Sequence, residues 1–399
     1  MIMKNFYFGK GKIFWISLLP LFLALYLLFS MVSISLSQIF LSFALICWIV
    51  ILIGKKQKFI FPPFFWPLIV YVALSLISSF LSINPEASLK DSKELILFLI
   101  VPIVYTGFSK ADLLKKANLA LLASAYLSCL YSLFYFFFKA SPLERIEGFM
   151  GQVMTQSGLL LLFSCMALSM LLFTHNRIRY LWGLGFLLSL FALIFTQTRS
   201  AWIGLVVASS LILLIYKPRA LIIVPLAVGL FYIASPQYIK KRVLSIFSQK
   251  HISNKVRIEH MMAGIKIIKD FPLFGTGSNT VGMIIQNPKY ELSEKAKKGG
   301  VHLHNNIVQI GAERGIPTLL AWLTFMVWVF ISLIKLLKNK DPTLLPFTVA
   351  ALAVLFALFT AGLFEYNFAD SEITMLFLYM ITIPFSLARI QKKNNLIKN

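Results

Sequence analysis

Long apolar runs separated by short polar segments are the feature that most limits how this chain can fold. The runs have about 15 to 22 residues, close to the roughly 20 that an α-helix needs to cross the hydrocarbon core of a bilayer. Apolar residues make up 59% of the 399 residues and charged residues only 13%, which excludes a chain of soluble domains. The sequence therefore predicts an all-α polytopic membrane protein with a single transmembrane domain, residues 1–399.

The apolar runs predict about twelve transmembrane helices, and the fourth is short enough to be tilted or partly buried. An even count puts both termini on the same side. The first run is too long for a cleaved signal peptide, so we interpret it as a retained span. Cys47, Cys129 and Cys165 lie inside apolar runs and predict neither a disulfide framework nor a zinc site. The predicted spans are 13–31, 34–53, 64–81, 95–108, 119–138, 157–173, 181–196, 202–216, 220–234, 316–334, 344–364 and 373–388.

The lysines and arginines predict the orientation, because basic residues in short loops stay on the cytoplasmic side. The termini and the short loops on their side hold 20 of the 38 basic residues, whereas the opposite short loops hold 5. The remaining 13 lie in one long loop, 235–315, between spans 9 and 10. We therefore expect cytoplasmic termini and an external long loop. Acidic residues are nearly absent from the cytoplasmic side, so a polar active site is expected outside. The net charge of +23 then reflects topology and attraction to membrane lipids, with no nucleic-acid partner.

The segment TQTRSAW, residues 196–202, places Arg199 at the boundary between spans 7 and 8. One interpretation is an interfacial anchor whose guanidinium reaches the lipid headgroups, which the neighbouring Trp202 also fits. The other is a fixed cation for a lipid-linked phosphate, because a guanidinium grips phosphate oxygens in a bidentate way and keeps its charge.

Two further external segments carry polar residues. In residues 254–279, Asn254 is a candidate helix cap, Arg257 and His260 fall on one helical face, and the later Gly275–Gly277 pair predicts a tight turn. In residues 145–158, Arg145 is either a second cation or the partner of a nearby glutamate, Glu144 or Glu147.

Residues 302–317, HLHNNIVQIGAERGIP, stand directly before the tenth predicted span. Gly315 and Pro317 end a helical pattern, so 304–314 reads as a short helix with His304 near its N-terminus, unless Asn305 caps the helix instead. A neutral His304 there could accept a proton. The alternatives are a histidine with a purely structural role and a metal site formed with His302, although nearby ligands with suitable spacing are missing.

These segments together resemble the O-antigen ligase and polymerase family of bacterial membrane glycosyltransferases. The ligase motif of that family is His, then Asn, Ser or Gln, nine residues, Gly, two residues, and Gly, Thr or Tyr. Here it is matched by His304, Asn305, Gly315 and Thr318. TQTRSAW is similar to the family's arginine motif, and the segment from Arg257 to Gly277 to its loop pattern. His260 departs from the family, which often has Trp there, and GQVMTQSG matches only loosely.

The resemblance implies a donor glycan on undecaprenyl diphosphate and an acceptor such as lipid A core or another glycan. It implies that His304 deprotonates the acceptor hydroxyl, that Arg199 and Arg257 hold the diphosphate with Arg145 a further candidate, and that Asn305, His302 and His260 support the site. It also implies an inverting reaction without metal or cofactor, at the periplasmic face of the inner membrane in lipopolysaccharide biosynthesis.

The sequence leaves alternative functions open. A ligase and a polymerase of this family differ only in the acceptor, and transfer to protein is a third possibility. A polysaccharide transporter or flippase belongs to another class, and it would predict ionisable residues within the spans and matching broken helices in two halves. Neither pattern is evident in the sequence.

Overall fold

A computed structural model of the chain describes residues 2–54, 59–141, 144–248, 251–299, 302–339 and 341–398, with side chains within 15–396. Regular structure in these ranges is helical throughout. Lys55, Lys56, Lys58 and Lys340, which we predicted in cytoplasmic loops, lie outside the described residues, as do 249–250 and 300–301 of the long loop. The α-helices are α1 Ile2–Phe29, α2 Ile34–Ile53, α3 Phe65–Phe80, α4 Pro85–Asp91, α5 Ile100–Gly107, α6 Ala111–Phe138, α7 Val153–Phe173, α8 Ile178–Phe195, α9 Arg199–Tyr216, α10 Ile223–Ala234, α11 Gln237–Leu244, α12 Ile252–Asp270, α13 Val281–Ile284, α14 Glu294–Gly299, α15 Asn306–Leu337, α16 Leu345–Gly362 and α17 Ser371–Lys398.

Among the described residues, eight helices are long and apolar enough to cross a membrane: α2, α6, α7, α8, α9, α15, α16 and α17. Three shorter apolar helices cover Trp15–Phe29, Phe65–Phe80 and Pro218–Ala234. The all-α polytopic class is thus confirmed, whereas the count of twelve spans stays a prediction. The segment predicted as span 4 is not one α-helix, since a 3-10 helix at Ser92–Leu99 precedes the short α5.

Helices α7, α16 and α17 form the centre of the bundle. In the most apolar stretch of each helix, 78%, 78% and 89% of the residues are buried inside the protein. Small hydroxyl side chains let neighbouring helices approach and bond to one another, as is typical of helices packed in a membrane. Ser164 of α7 bonds Ser189 of α8 at 2.8 Å, and Ser169 donates to the carbonyl of Pro346 at 2.7 Å. The more exposed helices surround this centre.

Helix α15 bends at Gly315 rather than ending there as the sequence suggested. Gly315 has φ 81° and ψ 168°, a conformation that is nearly restricted to glycine, so the helical bonding is interrupted at this residue. The carbonyls of Ala312 and Glu313 accept hydrogen bonds from the amides of Thr276 (3.0 Å) and Gly277 (2.7 Å) instead. The glycine turn of the long loop therefore docks onto the bend in α15.

The segment between α10 and α15 has a small hydrophobic core of its own. Its helices α11 to α14 are short or amphipathic, and a separate buried cluster joins α12, α13 and α14 to the first turns of α15. The side chains of Ile267, Val281, Ala296 and Val308 belong to this cluster. The segment is thus a folded unit attached to the bundle through α15.

We predict that Gly315→Ala destabilises the protein by about 1–3 kcal/mol or more, since the backbone conformation is costly for alanine. A Cβ at this position would also lie 2.1 Å from the carbonyl oxygen of Leu273. Thermal unfolding of the detergent-purified variant measures the effect. Gly229→Ala in α10 is the control, because its Cβ meets no atom within 4 Å. Equal unfolding midpoints for the two variants would contradict the proposed role of the bend.

We also predict that α14 and the C-terminal end of α17 lie on opposite sides of the membrane, because of the uneven distribution of basic residues. Cysteines introduced at the exposed Lys295 and Lys392 allow the test. A membrane-impermeant thiol reagent applied to intact spheroplasts should label Lys295→Cys and spare Lys392→Cys. Labelling in the reverse order would invert the predicted orientation.

Candidate active site

His304 lies beside Glu365, a residue of the loop between α16 and α17. Asn305 caps α15 by accepting a hydrogen bond from the amide of Val308 at 3.1 Å, and its side-chain amide donates to the carbonyl of Leu363 at 2.9 Å. His304 precedes this cap with a left-handed backbone, φ 52°. Of the two arrangements that the sequence left open, the structure has Asn305 as the cap, with His304 just before it and α15 beginning at Asn306. The result is that Nδ1 of His304 lies 2.9 Å from Oε1 of Glu365.

Glu365 is an ionised carboxylate shared by two partners. Its second oxygen accepts a hydrogen bond from Nη2 of Arg257 at 3.0 Å. Burial raises the pKa of Glu365, but the hydrogen bond to His304 and the charges of His304 and Arg257 outweigh burial and hold the pKa below its ordinary value. Because an ionised carboxylate can only accept, Nδ1 of His304 carries the proton that is shared with it. In the neutral ring, Nε2 is then free to take a proton.

Arg199 is buried, with only 6% of the residue exposed, at the start of α9. Nη1 donates to the carbonyl and hydroxyl of Ser245 at 2.8 and 3.1 Å, and Nη2 donates to Ser253 at 3.2 Å and to Asn254 at 2.7 Å. Arg199 is thus not an anchor in the headgroup layer. Asn254 does not cap α12, which begins at Ile252, because its side chain binds Arg199 and the carbonyl of Ser245.

Two other arginines hold the turn between α8 and α9. Arg145 donates to the carbonyl of Thr196 at 2.9 Å and to the hydroxyl of Thr198 at 3.0 Å, so neither of the predicted partners Glu144 and Glu147 binds it. Arg242 of α11 donates to the carbonyl of Gln197 at 3.0 Å. Burial, followed by the charges of Arg242 and Arg257, lowers the pKa of Arg145 to about 10. Arg145 remains charged at neutral pH.

The site carries an excess of positive charge. Burial and repulsion from Arg257 also lower the pKa of Arg242, which indicates that these guanidinium groups share one region. Among the residues that the structure describes, Glu365 is the one carboxylate that pairs with any of these arginines. Arg199 is buried and the other three arginines are partly buried, and like charges held close together at low exposure are costly unless an opposite charge binds. The arrangement therefore suits a ligand with at least two negative charges.

A cavity of about 260 Å³ brings the base and the cations together. Arg199, Arg257, Asn254, His304 and Asn305 form its polar wall. The remaining lining is mostly apolar and comes from α9, α12 and the segments that follow α11, precede α15 and follow α16: Ser200, Ile203, Ile246, Ile258, Met261, Leu303, Leu363 and Phe364. An amphiphilic ligand with a charged head fits such a lining better than a small ion does.

The other two predicted histidines differ in position. His260 is fully buried behind His304, with ring centres 5.5 Å apart, and its Nε2 lies 3.0 Å from the carbonyl of Ala296. Burial lowers the pKa of His260, so its ring is neutral at neutral pH. His302 is exposed, lies against Tyr366 with ring centres 5.4 Å apart, and does not line the cavity. Within the described residues, no three His, Cys, Asp or Glu side chains form a metal-binding group.

Sequence reasoning missed Glu365 and Arg242. Glu365 lies 61 residues after His304 in the short segment GLFEYN, and Arg242 lies in the basic run KKR of the long loop. A carboxylate directly after an apolar span on the predicted external side was the available signal for Glu365. No feature of the sequence other than its charge pointed to Arg242.

A family model described as O-antigen ligase matches residues 184–323 of the chain. The match runs from α8 into α15 and includes Arg199, Arg257 and His304, whereas Arg145 and Glu365 lie outside it. No curated protein matches the chain significantly. The family comprises membrane enzymes of the glycosyltransferase type. Residues 184–323 are therefore similar to the O-antigen ligase family.

Proposed function

We propose that this protein is an O-antigen ligase that transfers a glycan from undecaprenyl diphosphate to a sugar hydroxyl of lipid A core. The observation that carries the proposal is the cavity that His304, paired with Glu365, shares with Arg199 and Arg257. A base and fixed cations around one cavity are what glycosyl transfer from a diphosphate requires, since the donor already contains its leaving group.

The arginines stabilise the leaving diphosphate. Its negative charge increases as the bond between the anomeric carbon and the phosphate oxygen breaks, and the bonding electrons pass to that oxygen. Fixed guanidinium groups bind this growing charge more strongly than the ground state, which lowers the barrier. We assign contact with the diphosphate to Arg199 and Arg257, and we add Arg145 and Arg242 as cations that strengthen the local field.

His304 acts as the general base. The acceptor oxygen attacks the anomeric carbon from the face opposite the diphosphate, so the configuration inverts, and the hydroxyl proton passes to Nε2 of His304. Glu365 orients the ring and stabilises the imidazolium, as carboxylates do in other histidine-based sites. Asn305 fixes the backbone before α15, His260 packs behind the ring, and His302 supports the site from outside the cavity through its contact with Tyr366. No metal or cofactor takes part in this scheme.

An apolar groove of about 390 Å³ between α7, α8, α9 and α10 accommodates the isoprenoid chain of the donor. Trp202 lines this groove, and its ring packs edge-on against Phe231 at 5.9 Å. Trp202 lies one helical turn after Arg199, so the two side chains fall on the same side of α9. The groove and the cavity thus suit the tail and the head of one lipid-linked donor.

We propose that the reaction takes place at the periplasmic face of the bacterial inner membrane, with both termini cytoplasmic. The 235–315 loop then carries Arg257 and His304, and the family match supports this class of reaction. Polymerase activity or transfer to protein would use the same donor site with a different acceptor.

We predict that His304→Ala lowers the rate of transfer by a factor on the order of 100 to 10,000, the contribution of a positioned general base. His302→Ala is the matched control and should cost far less, because its ring lies against Tyr366 outside the cavity. The assay uses purified protein, a lipid-linked donor and purified lipid A core. Parallel reactions contain a chelator.

Equal losses in the two histidine variants, together with sensitivity to the chelator, would contradict a single metal-free base. The acceptor decides between the candidate functions. Transfer to lipid A core supports a ligase, whereas elongation of a second lipid-linked repeat in place of that transfer supports a polymerase.

We further predict that Arg257→Gln lowers kcat/KM for the donor roughly 10- to 100-fold, because a charge-assisted contact is lost. Arg199→Ala should impair donor use as well, and Arg199→Lys should rescue only in part, since lysine keeps the charge without the bidentate fork. Arg219→Gln, in the 3-10 helix Pro218–Ile222 beyond the other end of α9, is the control for net charge. Similar kcat/KM values for Arg257→Gln and Arg219→Gln would mean that the diphosphate binds elsewhere.

A further inference from the structure

Helix α12 has an exposed apolar stripe in addition to its buried face. Ile258, Met261, Met262 and Ile265 are 49%, 36%, 52% and 37% exposed. Their spacing places them on one side of the helix. The buried face instead contains His260, Ala263, Gly264 and Ile267. The exposed stripe is therefore not part of the core of the long loop, and water alone is an unfavourable neighbour for it.

A lysine stands at each end of this stripe. Lys255 lies three residues before Ile258, and Lys269 lies four residues after Ile265, so both fall on the side of the stripe. Both are exposed. Apolar side chains flanked by long basic ones are typical of helices that lie in the interfacial plane of a membrane, where the ammonium groups reach the phosphates of the lipids.

Further exposed apolar residues lie next to the stripe, on the segment that joins α12 to a candidate membrane-spanning helix. Leu273 and Phe274, which follow α12, are 62% and 41% exposed. The amide of Ile316 bonds the carbonyl of Pro272 at 2.8 Å, which ties this segment to the membrane-spanning part of α15. Ile316 and Leu320 of α15 are exposed as well. Exposed apolar side chains thus occur on α12, on the segment that follows it and on the part of α15 to which that segment is bonded.

We propose that the stripe of α12 rests in the headgroup boundary of the bilayer, with phospholipid as its partner. Two observations favour lipid over a protein partner: the exposed apolar side chains on the adjoining part of α15, and the lysines placed to meet anionic headgroups. Ile258 and Met261 of the stripe also line the arginine cavity. The stripe therefore forms a wall that leads from the bilayer surface to the cations, which is where a lipid-linked substrate enters. The entry role rests on the proposed function, whereas lipid contact does not.

Fluorescence quenching tests the lipid contact directly. The cysteines Cys47, Cys129 and Cys165 are buried, so an environment-sensitive probe can be attached to Met262→Cys, which lies outside the cavity lining. The full protein is placed in nanodiscs that contain phosphatidylglycerol and a phospholipid spin-labelled near the headgroup. The probe should be strongly quenched by the spin label and shielded from aqueous iodide. A probe at Lys295→Cys, on exposed α14, is the control and should show the reverse.

Equal quenching at the two positions, or free access of iodide to position 262, would overturn the proposal, and so would shielding that appears only after a soluble protein is added. The probe at Ile265→Cys gives the same readout if Met262→Cys does not fold.

The entry role is tested separately with Met262→Asp, which should raise KM severalfold for a polyprenyl-linked donor and leave KM for a short-chain, water-soluble diphosphate donor unchanged. Quenching of the probe at Met262→Cys, together with a wild-type protein that shows no transfer, would contradict the proposed function and leave the lipid contact standing.

Discussion

The hydrogen bonds between the glycine turn of the long loop and the bend in α15 are the interaction on which the site depends. A helix interrupted at Gly315 leaves carbonyl groups without their usual partners, and such groups are costly to bury at the edge of a membrane. The amides of Thr276 and Gly277 bond two of them. Since α12 leads into that turn and His304 directly precedes α15, the same contact positions Arg257 and His304 relative to each other.

The cap of α15 provides the second constraint. Asn305 holds the first turn of the helix through one side-chain atom and the end of α16 through the other. This double contact brings the loop after α16 close to His304 and lets Glu365 reach both His304 and Arg257. The geometry of the candidate site is therefore determined by the contacts of α15 with the glycine turn and with the end of α16, and not by the long loop alone.

The sequence predicted most of the helices and the residues that line the site, because apolar periodicity and short motifs are local signals. His304, Arg199 and Arg257 line one cavity. Arg145 lies close enough for the charge of Arg257 to contribute to its lowered pKa. Contacts between distant segments were not predictable in the same way. Nothing local distinguishes Asn254, which binds Arg199, from Asn305, which caps a helix, and Glu365 gains its partners only when α16 packs beside α15. The 3-10 helix before α5 was missed because its composition is as apolar as that of a spanning helix.

The unequal charges around the cavity have a consequence for the protein in solution. Two guanidinium groups line the cavity, two more bond the turn that precedes Arg199, and a single ion-paired carboxylate lies among them, so the region attracts small anions from the medium. Under the proposed function, binding of a lipid diphosphate is an exchange, in which chloride or inorganic phosphate leaves as the lipid headgroup arrives. Added salt screens the attraction of the arginines for both the small anion and the lipid headgroup. The headgroup loses more of this attraction because it is more highly charged. The ionic composition of the medium around the site is thus part of its binding equilibrium.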